Sequence, residues 1–288
     1  LPVTVTVWDF ALPDVPTMQT SFGPPFQQWK GYMQKRAKAG KEKEPADWDA
    51  VFLQVSQMLS EHRIDATPNL DLAPRAQPDG SFRIPPERIR ALREFVDRFH
   101  VNAVQTPHPR AAVKDPEAER EKLGAWLAAW DQAAAELDRP NVVFYTYLLD
   151  EPNDKEAYEY VQKWGRAIRA FKSVLKVLVV EQTLTQDKSW GDLNGAIDIW
   201  CPLFCLHDEP TAAARRALGE TIWTYTALCQ CKNKSPWWQT DFPLLHYRVP
   251  AWIAWRYRMR GLLYWGGMSF WNHVDDPWTD PKTYNLRK

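Results

Sequence analysis

The amino-acid sequence predicts an α/β protein, a (β/α)8 TIM barrel. Three observations predict it. Eight apolar, β-rich runs follow one another along the chain, and most are separated by stretches with helical apolar spacing. Alternating β and α elements in that number close into a parallel barrel. The length of 288 residues suits one such domain. An open doubly wound sheet is the alternative, but the Gly-rich phosphate turn that its nucleotide-binding form needs after an early strand is absent.

The elements justify themselves in order. VTVTVWDFALP, from Val3, alternates and breaks at Pro13, which predicts a first strand bearing Asp9. Residues 14–45, with the run KRAKAGKEKE, read as a solvated loop. Residues 46–60 place Trp48, Val51, Phe52, Val55, Met58 and Leu59 at helical spacing. A second strand is expected over 64–72, ending in Asn69 and Asp71. A helix over 86–99 starts with proline, where the missing N–H is harmless. The third strand, 101–106, leads to His108. The helix over 115–137 lines one face with Leu123, Trp126, Leu127 and Trp130.

The fourth strand, 142–149, carries no charge and reads as covered on both faces. It ends in Asp150 and Glu151, followed by Pro152. A helix over 154–174 leads to the fifth strand, 176–183, with Glu181 and Gln182 near its end. The sixth strand is 196–201, followed by a short helix over 208–218. The seventh, 221–228, holds Tyr225. A Trp-rich helix over 242–259 precedes the eighth strand, 261–265, which ends at Trp265. The tail carries Trp271 and Asn272.

Composition excludes several classes. A formal net charge of zero argues against nucleic acid or an acidic membrane surface as partner. No apolar run approaches the ~18 residues of a membrane span. The six histidines are scattered without H-x-H or H-E-x-x-H spacing, so neither metal nor cofactor is expected; His207 beside Asp208 and Glu209 is the one local ligand cluster. No G-x-S-x-G elbow is present. Cys201, Cys205, Cys229 and Cys231 match neither a zinc ribbon nor a redox pair and read first as buried free thiols, with a disulfide or a metal as the alternatives. Sixteen tryptophans serve both a core and sugar-stacking platforms, because an indole face packs on a pyranose.

In a barrel, chemistry sits at the C-terminal ends of strands. The candidates there are acids and aromatics, which suit a sugar. Asp150 and Glu151 have a plain alternative as helix-capping residues. A second copy of the tripeptide, Asp208-Glu209-Pro210, reads as that. The first copy differs in the uninterrupted strand leading into it. Neighbouring residues on a strand point apart, so the pair cannot easily flank a bond as nucleophile and acid. They can divide labour: Glu151 protonates the leaving oxygen while Asp150 holds a substrate group. That arrangement fits a substrate that supplies its own nucleophile, such as a 2-acetamido carbonyl. The only acid of the seventh strand region, Glu220, stands at the opposite end, and Glu181 remains a candidate second acid.

VTVTVWDFALP, YLLDEP, and R-x-P-x-W-x-x-W followed by GLLYW (Arg248, Pro250, Trp252, Trp255, then 261–265) together resemble the catalytic domain of glycoside hydrolase family 123 and its uncharacterised relatives. The resemblance spans nearly the whole chain. It implies a single catalytic barrel over 1–288, excised from a longer chain with flanking β-sandwich domains, and a secreted or periplasmic setting. It also implies a retaining β-N-acetylgalactosaminidase acting on a glycan, with Asp150 orienting the 2-acetamido group and Glu151 as acid, then base. Tyr147, Glu181, Tyr225, Trp265, Trp271, Asn272 and His108 are the expected substrate contacts. A glycosidase with two enzyme carboxylates, and a noncatalytic sugar-binding barrel, are the competing readings.

Overall fold

The computed structural model describes residues 2–23, 25–227, 236–238 and 242–265. The elements run β1 (Gln19–Ser21), α1 (Pro25–Lys38), α2 (Trp48–Glu61), a hairpin of β2 (Arg75–Ala76) and β3 (Phe82–Arg83), α3 (Pro86–Phe99) and β4 (Ala103–Thr106). They continue through α4 (Arg120–Leu137), β5 (Val143–Asp150), α5 (Lys155–Arg169), β6 (Lys176–Val180) and β7 (Ile199–Trp200). The last are α6 (Glu209–Ala217), β8 (Thr221–Tyr225), α7 (Leu245–Arg256) and β9 (Gly261–Leu263).

Among the described residues, seven parallel strands pair in the order β1-β9-β8-β7-β6-β5-β4 and form a nearly closed barrel with helices outside. The barrel wall separates two apolar layers. Tyr145, Leu178, Ile199, Trp223 and Leu263 fill the interior. Phe144, Val177, Val179, Trp200 and Ile222 face outward against Trp126, Trp130 and Trp164 of the helices. This is the period-2 alternation of strands buried on both faces. The Trp223 indole lies so close over Gly261 that a Cβ there would approach it to 2.4 Å, so only glycine fits the start of β9.

The barrel's seam is built differently from its ladders. Residues 64–72 form no strand. Instead this segment lies between β1 and β4 and joins them through one buried side chain. Asp65 accepts from Thr20 N and from Asn102 N, each at 2.8 Å, and Thr20 Oγ1 donates to it in turn. Burial pushes the Asp65 carboxyl up to about 6 against the lowering effect of these bonds. The expected second strand is thus replaced by an extended segment whose carboxylate does the work of a ladder.

Three further expectations are corrected. The first strand is not residues 3–12, which lie exposed and unpaired; Val3 and Trp8 are 83% and 72% exposed. Gln19–Ser21 fills that place, three residues too short to show periodicity. The basic stretch within 14–45 is not all loop, because α1 occupies much of it. Phe26 and Tyr32 are buried beneath its charged surface, and Phe26 packs on Phe52 with ring centroids 5.0 Å apart. Finally, Cys201 is a buried free thiol as read, but Cys205 is disulfide-bonded. Cys229 and Cys231 lie outside the described residues. Among the described residues, no helix is long and apolar enough to cross a membrane.

Candidate active site

Two backbone devices at the end of β5 bring both acids to one side. The ladder between β5 and β6 slips: Tyr147 pairs with Leu178, but Leu149 pairs with Val179. Leu148 is the extra residue of a β-bulge. Tyr147 packs against the interior layer, whereas Leu148 and Leu149 both pack on the outer layer. The next residue to return inward is therefore Asp150, not Leu149. Glu151 follows with φ 41°. Of the non-glycine residues described in this left-handed region, Arg63, His100, Asp138, Lys172 and Arg258 all close helices, and Glu151 alone ends a strand. That conformation is unfavourable for a residue with a Cβ and clusters at functional sites.

Each carboxylate meets a tyrosine of the barrel interior. Tyr147 Oη donates to Asp150 Oδ1 at 2.8 Å. Burial, with Asp150 nearby, pushes the Tyr147 hydroxyl well above its usual range, so it remains a donor. Tyr225, nearly buried at the end of β8, donates to Glu151 Oε1. The Glu151 N–H is fixed by Val180 O at 3.1 Å. Below the pair, burial and then the Asp150 charge push the Cys201 thiol far up, which keeps it neutral.

Capping does not account for this pair. The N-cap of α5 is Asp154, whose side chain accepts from Ala157 N at 2.8 Å. The second tripeptide is a cap, as read: Asp208 accepts from Thr211 N at 3.0 Å at the start of α6. Glu209 binds Arg216 and, at 2.9 Å, His207 Nε2, so the suspected ligand cluster is an ion-pair cluster.

Glu181 stands just past β6 and is 5% exposed. Its Oε1 accepts from Gln182 N at 2.9 Å and its Oε2 from Gln186 Nε2 at 2.8 Å. Burial pushes this carboxyl up to about 7; the two hydrogen bonds oppose the rise and the Glu151 charge adds to it. Both oxygens are engaged, so Glu181 is not poised to attack a sugar.

The remaining expected contacts separate. His108 is used by the fold: its Nδ1 accepts from Arg110 N at 2.9 Å, and its Nε2 lies 3.1 Å from Tyr160 Oη of α5. Burial, with Arg110 adding, lowers it to about 4, so it is a neutral ring anchored on a helix. Trp265, 42% exposed, follows β9 at the same end of the barrel as Glu151. Trp271 and Asn272 lie outside the described residues. Glu220 is buried at the opposite end, held by Trp200 Nε1 at 2.7 Å and Arg169 at 3.3 Å. Asp9 lies in the exposed N-terminal segment, and Asn69 is bound by Gln27 at 2.7 Å. Sequence reasoning missed Gln186, which nothing in TLTQDKSW marks, and the bulge, which has no local signature.

No family model matches this chain, and no curated protein is significantly similar to it. Among solved structures, a β-mannanase from the blue mussel Mytilus edulis aligns at TM-score 0.36 and 11% identity, over 79% of this chain and 86% of its own. The catalytic domain of a GH26 endo-β-1,4-mannanase from Bacillus sp. JAMB-750 aligns at 0.38 and 10%, over 62% of this chain and 60% of its own. The chain thus spans less than two thirds of that domain's length. A 2,3-dimethylmalate lyase also aligns, at 0.28 and 9%, over 69% of this chain and 82% of its own. Likeness at this level carries no inference about chemistry. The class that the coordinates define is a (β/α)8-type barrel, with two tyrosine-bound carboxylates at the strand ends where such barrels place reactions.

Proposed function

We propose that the chain is a retaining, exo-acting glycoside hydrolase for β-linked N-acetylgalactosamine or a similar 2-acetamido sugar, with the substrate's acetamido group as nucleophile. The observation that carries the reading is the turn at the end of β5, where two successive carboxylates turn to one mouth, each under a tyrosine hydroxyl. The resemblance to glycoside hydrolase family 123 supplies the sugar. It also supplies the view that this barrel is the catalytic part of a longer chain.

Glu151 donates its proton to the glycosidic oxygen as the C1–O bond breaks. The acetamido carbonyl oxygen closes on C1 to form an oxazoline. Asp150 accepts the amide N–H, whose positive character grows as the ring closes. Water then attacks C1, the C1–O bond of the oxazoline breaks, and Glu151 takes the water's proton. Two inversions give retention. Tyr225 steadies the Glu151 carboxylate after it has lost its proton, since a hydroxyl donating to an anion is a strong hydrogen bond. Tyr147 holds Asp150 in its accepting orientation.

The test is nitrophenol release from β-N-acetylgalactosaminide, β-N-acetylglucosaminide and β-galactoside. Selective release from 2-acetamido sugars, lost in Glu151→Gln, is the expected result. Equal release from the plain galactoside would sink substrate assistance. Folded protein that binds these sugars but releases nothing would make the barrel a binding module.

A further inference from the structure

Gln186 Nε2 joins two things that the reaction above does not use. It donates to Glu181 Oε2 at 2.8 Å and to Pro152 O at 3.1 Å, and Asn153 Oδ1 lies 3.3 Å away. Pro152 and Asn153 are the residues directly after Glu151. The other side of the same turn is tied to β6 by the bond from Glu151 N to Val180 O, and Val180 directly precedes Glu181. The left-handed backbone at Glu151 is therefore held from both sides by one short stretch of neighbouring chain.

We propose that Glu181 is a positioning residue: through Gln186 it clamps the Pro152 turn that aims the Glu151 carboxyl. This deepens the glycosidase reading and rests on it.

The geometry gives the clamp its direction. A residue with a Cβ does not rest at φ 41° unless its surroundings impose it. The amide of Gln186 has two hydrogens, one for the Glu181 carboxylate and one for the turn. Loss of either acceptor frees the amide to rotate.

Glu181→Gln and Gln186→Ala in the full chain test this, with Glu151→Gln as reference. For Glu181→Gln, kcat should fall about 10- to 100-fold while KM stays within about twofold, as for a displaced rather than deleted acid. For Gln186→Ala, kcat should fall about tenfold with KM again little changed. Thermal unfolding checks that both variants are folded. Unchanged kcat in either variant overturns the inference. So does a Glu181→Gln protein as inactive as Glu151→Gln and restored by azide, because Glu181 would then be a nucleophile.

A crystal structure of Glu181→Gln separates this inference from the reading beneath it. The Pro152 turn should be displaced and the Glu151 carboxyl should leave Tyr225. A displaced carboxyl, with no turnover of any glycoside by the parent, would uphold the clamp and sink the glycosidase. An unmoved carboxyl beside brisk turnover by the parent would do the reverse.

Discussion

The chain contains the tripeptide Asp-Glu-Pro twice, and the two copies do different jobs. At Asp208-Glu209-Pro210 the aspartate caps α6, the glutamate joins an arginine and a histidine, and the proline sits in the first helical turn. Every group serves local structure. At Asp150-Glu151-Pro152 the helix begins only later and is capped by Asp154, so the acids are released from capping. A bulge and a left-handed residue turn both of them inward instead. The same three side chains cap a helix or turn into the barrel mouth according to the backbone that delivers them. A tripeptide motif is therefore a weak sign of function until its backbone is known.

The comparison breaks first at the glutamates. Glu151→Gln should lower kcat on a nitrophenyl 2-acetamido glycoside by about 10²- to 10⁴-fold, the usual share of a general acid. Glu209→Gln should leave kcat within about twofold. Comparable losses in both would end the distinction.

The aspartates come next. Asp150→Asn should slow 2-acetamido substrates by about 100-fold or more, because the amide N–H loses its charged acceptor. Asp208→Ala should instead cost about 1 kcal/mol of unfolding free energy, as a lost N-cap does, with activity kept. Denaturant unfolding and initial rates on the same two samples decide it.

Glycine scanning sharpens the contrast in stability alone. Glu151→Gly should abolish turnover yet raise stability by about 1 kcal/mol, because glycine accepts the left-handed backbone that a Cβ resists. Glu209→Gly should lower stability, since glycine weakens a helix and the Arg216 contact is lost. Opposite signs in thermal unfolding are the expected outcome.

The smallest effect is in the pH dependence of stability. The Glu181 carboxyl beside the first copy is raised from 4.5 to about 7. Its contribution to stability is complete below about 4.5 and is lost as pH rises through about 7. Burial alone would also raise Glu209, but the bonds from Arg216 and His207 outweigh it and hold it low. Its contribution is present above the ordinary glutamate range and is lost as pH falls. The Glu181→Gln protein should therefore unfold at a temperature that varies less with pH between about 5 and 8 than the parent does. A steeper dependence would contradict the burial of Glu181.

Most of the wall was legible in the sequence because covered strands announce themselves. VFYTYLLD, KVLVV and TIWTY are apolar runs that no loop needs, and they form β5, β6 and β8. The caps were legible too, because Asp208 acts on a backbone N–H three residues away. What stayed hidden depends on partners far along the chain. VTVTVWDF alternates well, but pairing is decided by a neighbour, and the barrel takes QTS instead. The Phe26 and Tyr32 face of α1 is masked by Gln27 and Lys30 between them and by Lys35, Arg36 and Lys38 beyond. The pair at Asp150 and Glu151 was visible as residues, while their shared direction was not. Alternation said that they diverge, and only the slip at Leu148 and the turn at Glu151 reverse that. His108 looked available at a strand end because the helix that takes up its ring lies some fifty residues on, at Tyr160.

The Asp65 seam gives the barrel a reporter of its own breathing. The amide hydrogens of Thr20 and Asn102 end on a single carboxylate, whereas their counterparts around the wall lie in continuous ladders. Exchange of those two amides with deuterium counts the moments when the first strand parts from the fourth. Exchange at Val179 should instead await disruption of β6, which is paired on both sides. The barrel should open like a collar at its clasp, with the side that bears Asp150 and Glu151 still closed.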